Sequence, residues 1–249
     1  MMAYESLSAA YDGLMTDIDY DIILIFLEEI LQAAGKHPET VVDLACGTGS
    51  MSLLLARKGY HTVGADISEE MLTVAAQKAA ELEPGVNPPY FICQPMQKLR
   101  LPQPVDAVFC LLDSLNYLTD PEDCKKTFRR VYAALKPGGS FLFDINTSAK
   151  LRGLDGQIFL DENEDSYCVW RVEYDEDERI CYYGIDLFRR KGEVWQHSFE
   201  EHREYAYEVD ELLTWLREAG FSRTEIFGDC RWQKPTAQEQ RIYFAAYKE

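Results

Sequence analysis

Positive charge is what this sequence lacks. Its 249 residues hold 25 Lys and Arg against 43 Asp and Glu, a net charge of −18 at pH 7. The longest basic run is Arg189-Arg190-Lys191. Gripping a phosphate backbone takes clustered Lys and Arg, so the charge balance argues against a nucleic-acid partner. Histidine is scarce as well, with four residues. His197 and His202 are separated by an odd number of positions, which in a strand sends them to opposite faces and makes them poor joint metal ligands. His37 and His61 flank strands, and no metal-binding set is read. Long apolar runs are absent. The most apolar segment, Ile22 to Leu27, is far shorter than the ~20 residues a bilayer requires. The opening "MMAYESLSAAYDGL" has neither a basic start nor an apolar core, so no signal peptide is expected. The seven cysteines are odd in number and include no CxxC pair. They read as reduced thiols in a cytoplasmic protein. No internal repeat or low-complexity tract occurs.

Apolar residues make up 47% of the chain, enough for a sizeable core. The length fits one large α/β domain with a small added unit. "DYDIILIFLEEILQAAG" carries acids in its first turn and Gly35 past its end, the start and stop signals of a helix. Strands are expected at Thr40 to Ala45, His61 to Asp66, Tyr90 to Gln94, Val105 to Leu112 and Ser140 to Asn146. Between them lie helices at Ser50 to Gly59, after the N-cap Ser68, and after Asp120-Pro121. This alternation predicts a parallel sheet with helices on both faces. From 147 to 207 no helix is expected. Three alternating runs, "SYCVWRVEY", "RICYYGIDLFRR" and "EVWQHSFEEHREY", predict an antiparallel meander. A helix ending at Gly220 and two strands close the chain.

The strongest local signal is "VVDLACGTGS", Val41 to Ser50. A buried strand runs into Gly47 and Gly49, which permit a tight turn, and a helix N-terminus follows. The second strand ends at Asp66, 19 residues after Gly47. That carboxylate lies beside the loop, where it can accept hydrogen bonds from both hydroxyls of a ribose. A dinucleotide fingerprint fails because Ser52 stands where its third glycine belongs. A P-loop fails for want of Gly-Lys-Ser/Thr.

"VVDLACGTG", then "VGADIS" and "ML", then "LKPGG" before the fifth strand, resemble the ordered motifs of the class I S-adenosylmethionine-dependent methyltransferases. The segment around 110–118 is similar to glycine N-methyltransferase-like enzymes. The resemblance covers residues 39 to 146 and, in outline, the last helix and strands. It implies a Rossmann-like doubly wound sheet of seven strands, mostly parallel, with the last strand inserted antiparallel. It divides the chain into a cofactor-binding core with N-terminal helices (1–146), an inserted antiparallel β unit acting as lid or dimer interface (147–207), and a completing segment (208–249).

The resemblance also implies roles. The loop Ala45, Cys46, Gly47 to Gly49 holds the methionine part of S-adenosylmethionine by its backbone. Asp43 supports the loop or reaches the amino group through water. Asp66 takes the ribose, and Ile67 packs on adenine. Where the family often has Asp-Met after the third strand, this chain has Pro95 and Met96. That leaves Gln94 or Gln97 for the adenine amine. At the end of the fourth strand, Leu111 and Tyr117 face the cofactor, and Asp113, Ser114 and Asn116 face substrate. Ser114 and Asn116 as plain caps of a short helix is the alternative. Asp113 is the first choice for a general base, with Tyr117 and Tyr11 next. The aromatic meander (Tyr167, Trp170, Tyr174, Tyr182, Tyr183, Phe188, Trp195) is expected mostly as core, with one or two rings lining the acceptor pocket.

An Asn-Pro-Pro-Tyr loop grips planar nitrogens in adenine and glutamine methyltransferases, and Asn87 to Tyr90 spells those letters. Here it precedes the third strand, not the end of the fourth, so it reads as an extended strand entry. The expected activity is methyl transfer to the nitrogen or oxygen of a small molecule by a monomer or homodimer. An RNA or protein methyltransferase, or a non-catalytic cofactor-binding subunit, are the alternatives.

Overall fold

The computed structural model describes residues 18–249. Tyr11, a candidate base, lies outside the described residues, as does Tyr4. The first described helix, α1 (Tyr20–Ala33), is capped by Asp19, whose side chain accepts the Ile22 N–H. Then β1 (Thr40–Leu44), α2 (Ser50–Arg57), β2 (His61–Asp66), α3 (Glu69–Ala79), β3 (Tyr90–Cys93) and β4 (Val105–Cys110) alternate. They are followed by α4 (Pro121–Ala134) and β5 (Leu135–Asn146). Ser68 caps α3 and Asp120 caps α4, each accepting a backbone N–H of the first turn. That satisfies donors the helix itself cannot.

After β5 come α5 (Ser148–Gly153), β6 (Ile158–Glu162), β7 (Ser166–Asp175), β8 (Ile180–Lys191) and β9 (Val194–Tyr205). The chain closes with α6 (Val209–Ala219), β10 (Arg223–Phe227) and β11 (Arg241–Tyr247). The large sheet has the order β10-β11-β5-β4-β1-β2-β3. Strand β11 is antiparallel to both neighbours, while β1 to β5 pair in parallel. The strand order reverses between β1 and β4, so the loops leaving their carboxyl ends diverge and open a crevice.

Period-2 alternation puts Val42, Leu44, Val108, Cys110, Phe141, Phe143 and Phe244 in one core with Phe128 and Val131 of α4 and Leu212 and Leu216 of α6. The intervening Val41, Ala107, Phe109, Leu142, Tyr243 and Ala245 join the other core with α1, Met51 and Leu55. Both faces are therefore covered, as a parallel sheet requires. The Asn87–Tyr90 letters sit at the entry to edge strand β3, with Tyr90 at 69% exposure.

The second sheet, β6-β7-β8-β9, is antiparallel throughout. It departs from the expected three runs in two ways. A helix, α5, precedes it: Thr147 accepts the Lys150 N–H, and Leu151 is fully buried against Val172, Cys181 and Ala206. One anchoring Leu is too short a pattern for periodicity to reveal. A fourth strand, β6, also forms. Its consecutive Ile158, Phe159 and Leu160 do not alternate and stay exposed at the sheet edge. All seven cysteines are free. Among the described residues no helix is long and apolar enough to cross a membrane, and no metal-binding group of side chains forms.

Candidate active site

A cavity of about 400 Å³ opens at the carboxyl ends of β1, β2, β3 and β4. The glycine loop forms one wall. Ala45, Gly47 and Gly49 all adopt left-handed backbone, φ 60°, 52° and 76°. The two glycines fill different needs. A Cβ on Gly47 would meet nothing within 4 Å, so only its conformation demands glycine there. A Cβ on Gly49 would lie 2.9 Å from the Ala75 Cβ and 3.2 Å from the Phe91 ring, so that position also lacks room. Gly49 does not line the cavity; it seats α2 against α3 and β3. Ala45, Cys46, Gly47 and Thr48 do line it.

Two carboxylates flank the loop. Asp43 is 3% exposed, and the Ser52 hydroxyl donates to it at 2.5 Å. Ser52 is the residue that breaks the dinucleotide fingerprint, and this bond is its use here. Burial pushes the Asp43 carboxyl up to about 6, with Ser52 opposing the shift and the charge of Asp66 adding to it. Asp66 accepts the Gly47 N–H at 2.8 Å and the Ser68 N–H at 2.9 Å. Burial raises its carboxyl and these backbone bonds oppose the rise. Each carboxylate oxygen has a further lone pair, so Asp66 retains acceptor capacity for hydroxyls. Ile67 lines the cavity at 52% exposure, an apolar side chain left in the open.

Gln94, Pro95, Met96 and Gln97 form the next wall. The Gln94 amide is closed on one partner: it accepts the Arg100 N–H at 2.8 Å and donates to the Arg100 carbonyl at 3.3 Å. Gln94 thus clasps this loop while it also lines the cavity. Gln97 instead donates to Asp123 of α4 at 3.2 Å, and both line the cavity. Asp123 comes from a distant helix, so no local motif announces it.

At the end of β4, Leu111, Leu112, Ser114, Tyr117 and Leu118 line the cavity. Leu112 and Asp113 are both left-handed, φ 56° and 52°. Non-glycine residues rarely take that conformation. Buried Asp144 holds it, accepting the Leu112 N–H at 2.7 Å and the Asp113 N–H at 2.9 Å. Burial raises the Asp144 carboxyl, opposed by the Arg241 guanidinium that bonds it. Arg241 also donates to Asp113 at 2.6 Å. Asp113, the first-choice base, is thus held in an ion pair and is not among the described residues that line the cavity.

Asn116, expected to face substrate, is not among the described residues that line the cavity. It is fully buried, donates to the carbonyls of Asn146 and Tyr205, and accepts the Asn146 N–H. Ser114 lines the cavity while donating to the Leu111 carbonyl at 2.7 Å. The expected aromatic lining from the small sheet is corrected too, since none of its seven named rings is among the described lining residues. Strand parity explains this. Tyr167, Phe188 and Trp195 share a groove on the outer face, while Trp170, Tyr174 and Tyr183 pack in the sheet's own clusters. Tyr20, Ser50, Met51, Met71, Thr119 and Asp120 line the cavity without having been read from the sequence.

The loop, the free acceptor capacity of Asp66 and the open apolar Ile67 fit a nucleoside carrying an amino-acid tail. Residues 41–139 match the model of a methyltransferase domain. YqeM of Bacillus subtilis, whose name assigns it as a methyltransferase, is 34% identical over 99% of this chain and 98% of its own. The crystal structure of an S-adenosylmethionine-dependent methyltransferase from Clostridium acetobutylicum superposes with a TM-score of 0.87 at 29% identity, covering 99% of both chains. The sugar N-methyltransferase KedS8 from Streptoalloteichus shares the fold, with a TM-score of 0.79 at 20% identity over 100% of this chain and 94% of its own. The chain belongs to the class I S-adenosylmethionine-dependent methyltransferases, and S-adenosylmethionine is its cofactor.

Proposed function

We propose that the protein methylates an amine nitrogen of a small molecule. The observation that carries this reading is the charge of the cavity wall. Its described residues include no Lys or Arg, and of its four aspartates, Asp43, Asp66, Asp120 and Asp123, Asp120 is the one the cofactor leaves to an acceptor. Such a wall favours cations and amines and disfavours phosphates. The cavity is also of the size that takes small ligands. Sugar N-methylation by KedS8 supports nitrogen as acceptor.

Within this reading the residues divide the work. The Ala45–Thr48 backbone and Asp43 hold the amino-acid tail, and Asp66 holds the ribose. Ile67 and Met96 sandwich the adenine. Gln97 and Asp123 take its amine, replacing the carboxylate that Pro95 cannot supply. When bound, the sulfonium supplies an already activated methyl group. The protein's contribution is therefore to orient the acceptor and strip it of water. Leu111, Leu112 and Leu118 provide the dry surface, and Tyr117 offers a phenol at the same wall. The small sheet borders this side, since Asn116 and Tyr117 bond residues of β9.

The test is incubation with S-adenosylmethionine labelled in its methyl group and a cytosolic extract, followed by ultrafiltration and cation exchange. Label in filtrate amines is expected. Label retained on RNA or protein, or recovered only as methyl ethers and esters, contradicts the reading.

A further inference from the structure

His202 and Glu200 are an unusual pair to find inside a small antiparallel sheet. They are 1% and 5% exposed, on the inner face of β9. That face also carries Cys168, Ile185 and Leu187 and the buried Glu204. Burying an ionisable pair is costly, and apolar residues of similar volume would pack such a sheet as well or better. The pair points somewhere. His202 Nε2 lies 3.1 Å from Glu200 Oε2, and His202 Nδ1 lies 3.4 Å from the Tyr117 hydroxyl. The Tyr117 and His202 rings meet edge to face, with centroids 5.9 Å apart. Tyr117 in turn lines the cofactor cavity at the end of β4. A chain of three polar groups thus runs from the cavity wall into the buried face of the second sheet.

With Glu200 ionised, its carboxylate only accepts, which places the proton on Nε2 and turns the Nδ1 lone pair toward the phenol. This is the orientation logic of a general base held by a carboxylate. Apo hydrogen bonds of this kind are often long and tighten with substrate present.

We propose that Tyr117, His202 and Glu200 form a proton relay that deprotonates the acceptor ammonium, a role that rests on the amine reading above. Ordinary alkyl amines are protonated at neutral pH, and a protonated nitrogen has no lone pair to attack with. In the relay an N–H bond of the acceptor breaks and its proton passes to the Tyr117 oxygen. The phenolic proton moves in the same step to His202 Nδ1. The N–H electron pair stays on nitrogen as the attacking lone pair, and nothing is oxidised or reduced. The imidazolium that forms lies against the Glu200 carboxylate, and it returns its proton to solvent by the reverse path after product leaves. Tyr117 is the catalytic residue; His202 and Glu200 act through it. The other ionisable groups facing His202 from the described residues are Glu204, two positions along the same strand face, and Tyr183, paired opposite it on β8.

The sequence has four histidines, so ring-¹⁵N NMR of histidine-labelled protein can be assigned by single substitutions. The relay predicts His202 as the Nε2–H tautomer. It predicts that Tyr117→Phe shifts its Nδ1 resonance and that Glu200→Gln shifts its Nε2 resonance. An Nδ1–H tautomer, or a His202 signal indifferent to Tyr117→Phe, overturns it, whatever the acceptor. The second arm is a pH–rate profile with glycine, glucosamine and methylamine as probe acceptors. Tyr117→Phe and His202→Gln should lower kcat on the order of 100-fold without weakening S-adenosylmethionine binding. Glu200→Gln should lower kcat in the same way by a smaller factor. Wild-type rates in these variants overturn the relay, and so does any loss of rate that follows lost cofactor binding. If the extract yields methyl label only in ethers and esters, the amine reading fails, and the relay with it, even where the tautomer is as predicted.

Discussion

At the residue scale, Asp43 and Gly49 carry opposite costs. Burial lifts the folded-state carboxyl of Asp43 from 3.8 to about 6. A raised carboxyl binds its proton more tightly in the folded chain. Its contribution is therefore fully present at low pH and is lost as pH rises through about 6. The difference is about 3 kcal/mol by the usual conversion. Asp43→Asn is expected to raise the melting temperature at pH 8 and to leave it unchanged at pH 3, while weakening cofactor binding at pH 8. Equal melting curves at pH 8 would contradict the burial argument. Gly49→Ala faces both left-handed backbone and a contact at 2.9 Å. Strain and overpacking together should cost about 2–4 kcal/mol, measurable by denaturant unfolding. Gly47→Ala meets open space and should cost only the smaller conformational part.

At the element scale, one partly buried arginine ties three pieces of chain together. Arg241 of β11 reaches Asp144 of β5 and Asp113 at the end of β4. Asp144 in turn holds the left-handed Leu112-Asp113 step that turns Leu111 and Leu112 toward the cavity. Arg241→Met leaves a buried carboxylate without its cation, which typically costs about 3–5 kcal/mol. Without the guanidinium the Asp144 carboxyl rises further, so the loss should be larger where that carboxyl is ionised than at acid pH. A loss that is flat with pH would place the stabilisation elsewhere. Asn116 does a similar job between sheets. Its three backbone hydrogen bonds join the Ser114–Tyr117 turn to β5 and β9. Asn116→Ala should destabilise by about 2–4 kcal/mol and loosen the small sheet, read as faster amide exchange in β9.

The legible parts of the molecule are those where one segment carries its own pattern. The glycine loop, Asp66, the helix caps at Ser68 and Asp120 and the alternation of β1 to β5 all stand in contiguous letters. The less legible parts depend on residues brought together from afar. Asn116 and Asp113 sit where the family pattern puts substrate contacts, yet partners at Asn146, Tyr205 and Arg241 claim them. Nothing in "CLLDSLNYL" reveals those partners. Asp123 and Gln97 meet across 26 positions, and His202 meets Tyr117 across 85. Reading His197 and His202 against each other, on opposite strand faces, gave no sign of the glutamate two residues before His202.

At the scale of the whole molecule, a net charge of −18 surrounds a cavity whose described wall is acidic. Such a field steers cations inward, and salt screens it over about 10 Å at 0.1 M. Association of S-adenosylmethionine should therefore slow several-fold between 0.05 and 0.5 M salt, with dissociation little changed. A stopped-flow on-rate indifferent to salt would remove long-range charge from the account. The central claim is that the loop after β1 and the carboxylate ending β2 hold the cofactor. Calorimetric titration of S-adenosylmethionine into the wild-type protein and into Asp66→Ala tests it most directly. The account predicts one site per chain, no binding of NAD, and a loss on the order of 1.5–3 kcal/mol in the variant, from charge-assisted bonds to the ribose. Equal affinity in the two proteins would contradict it.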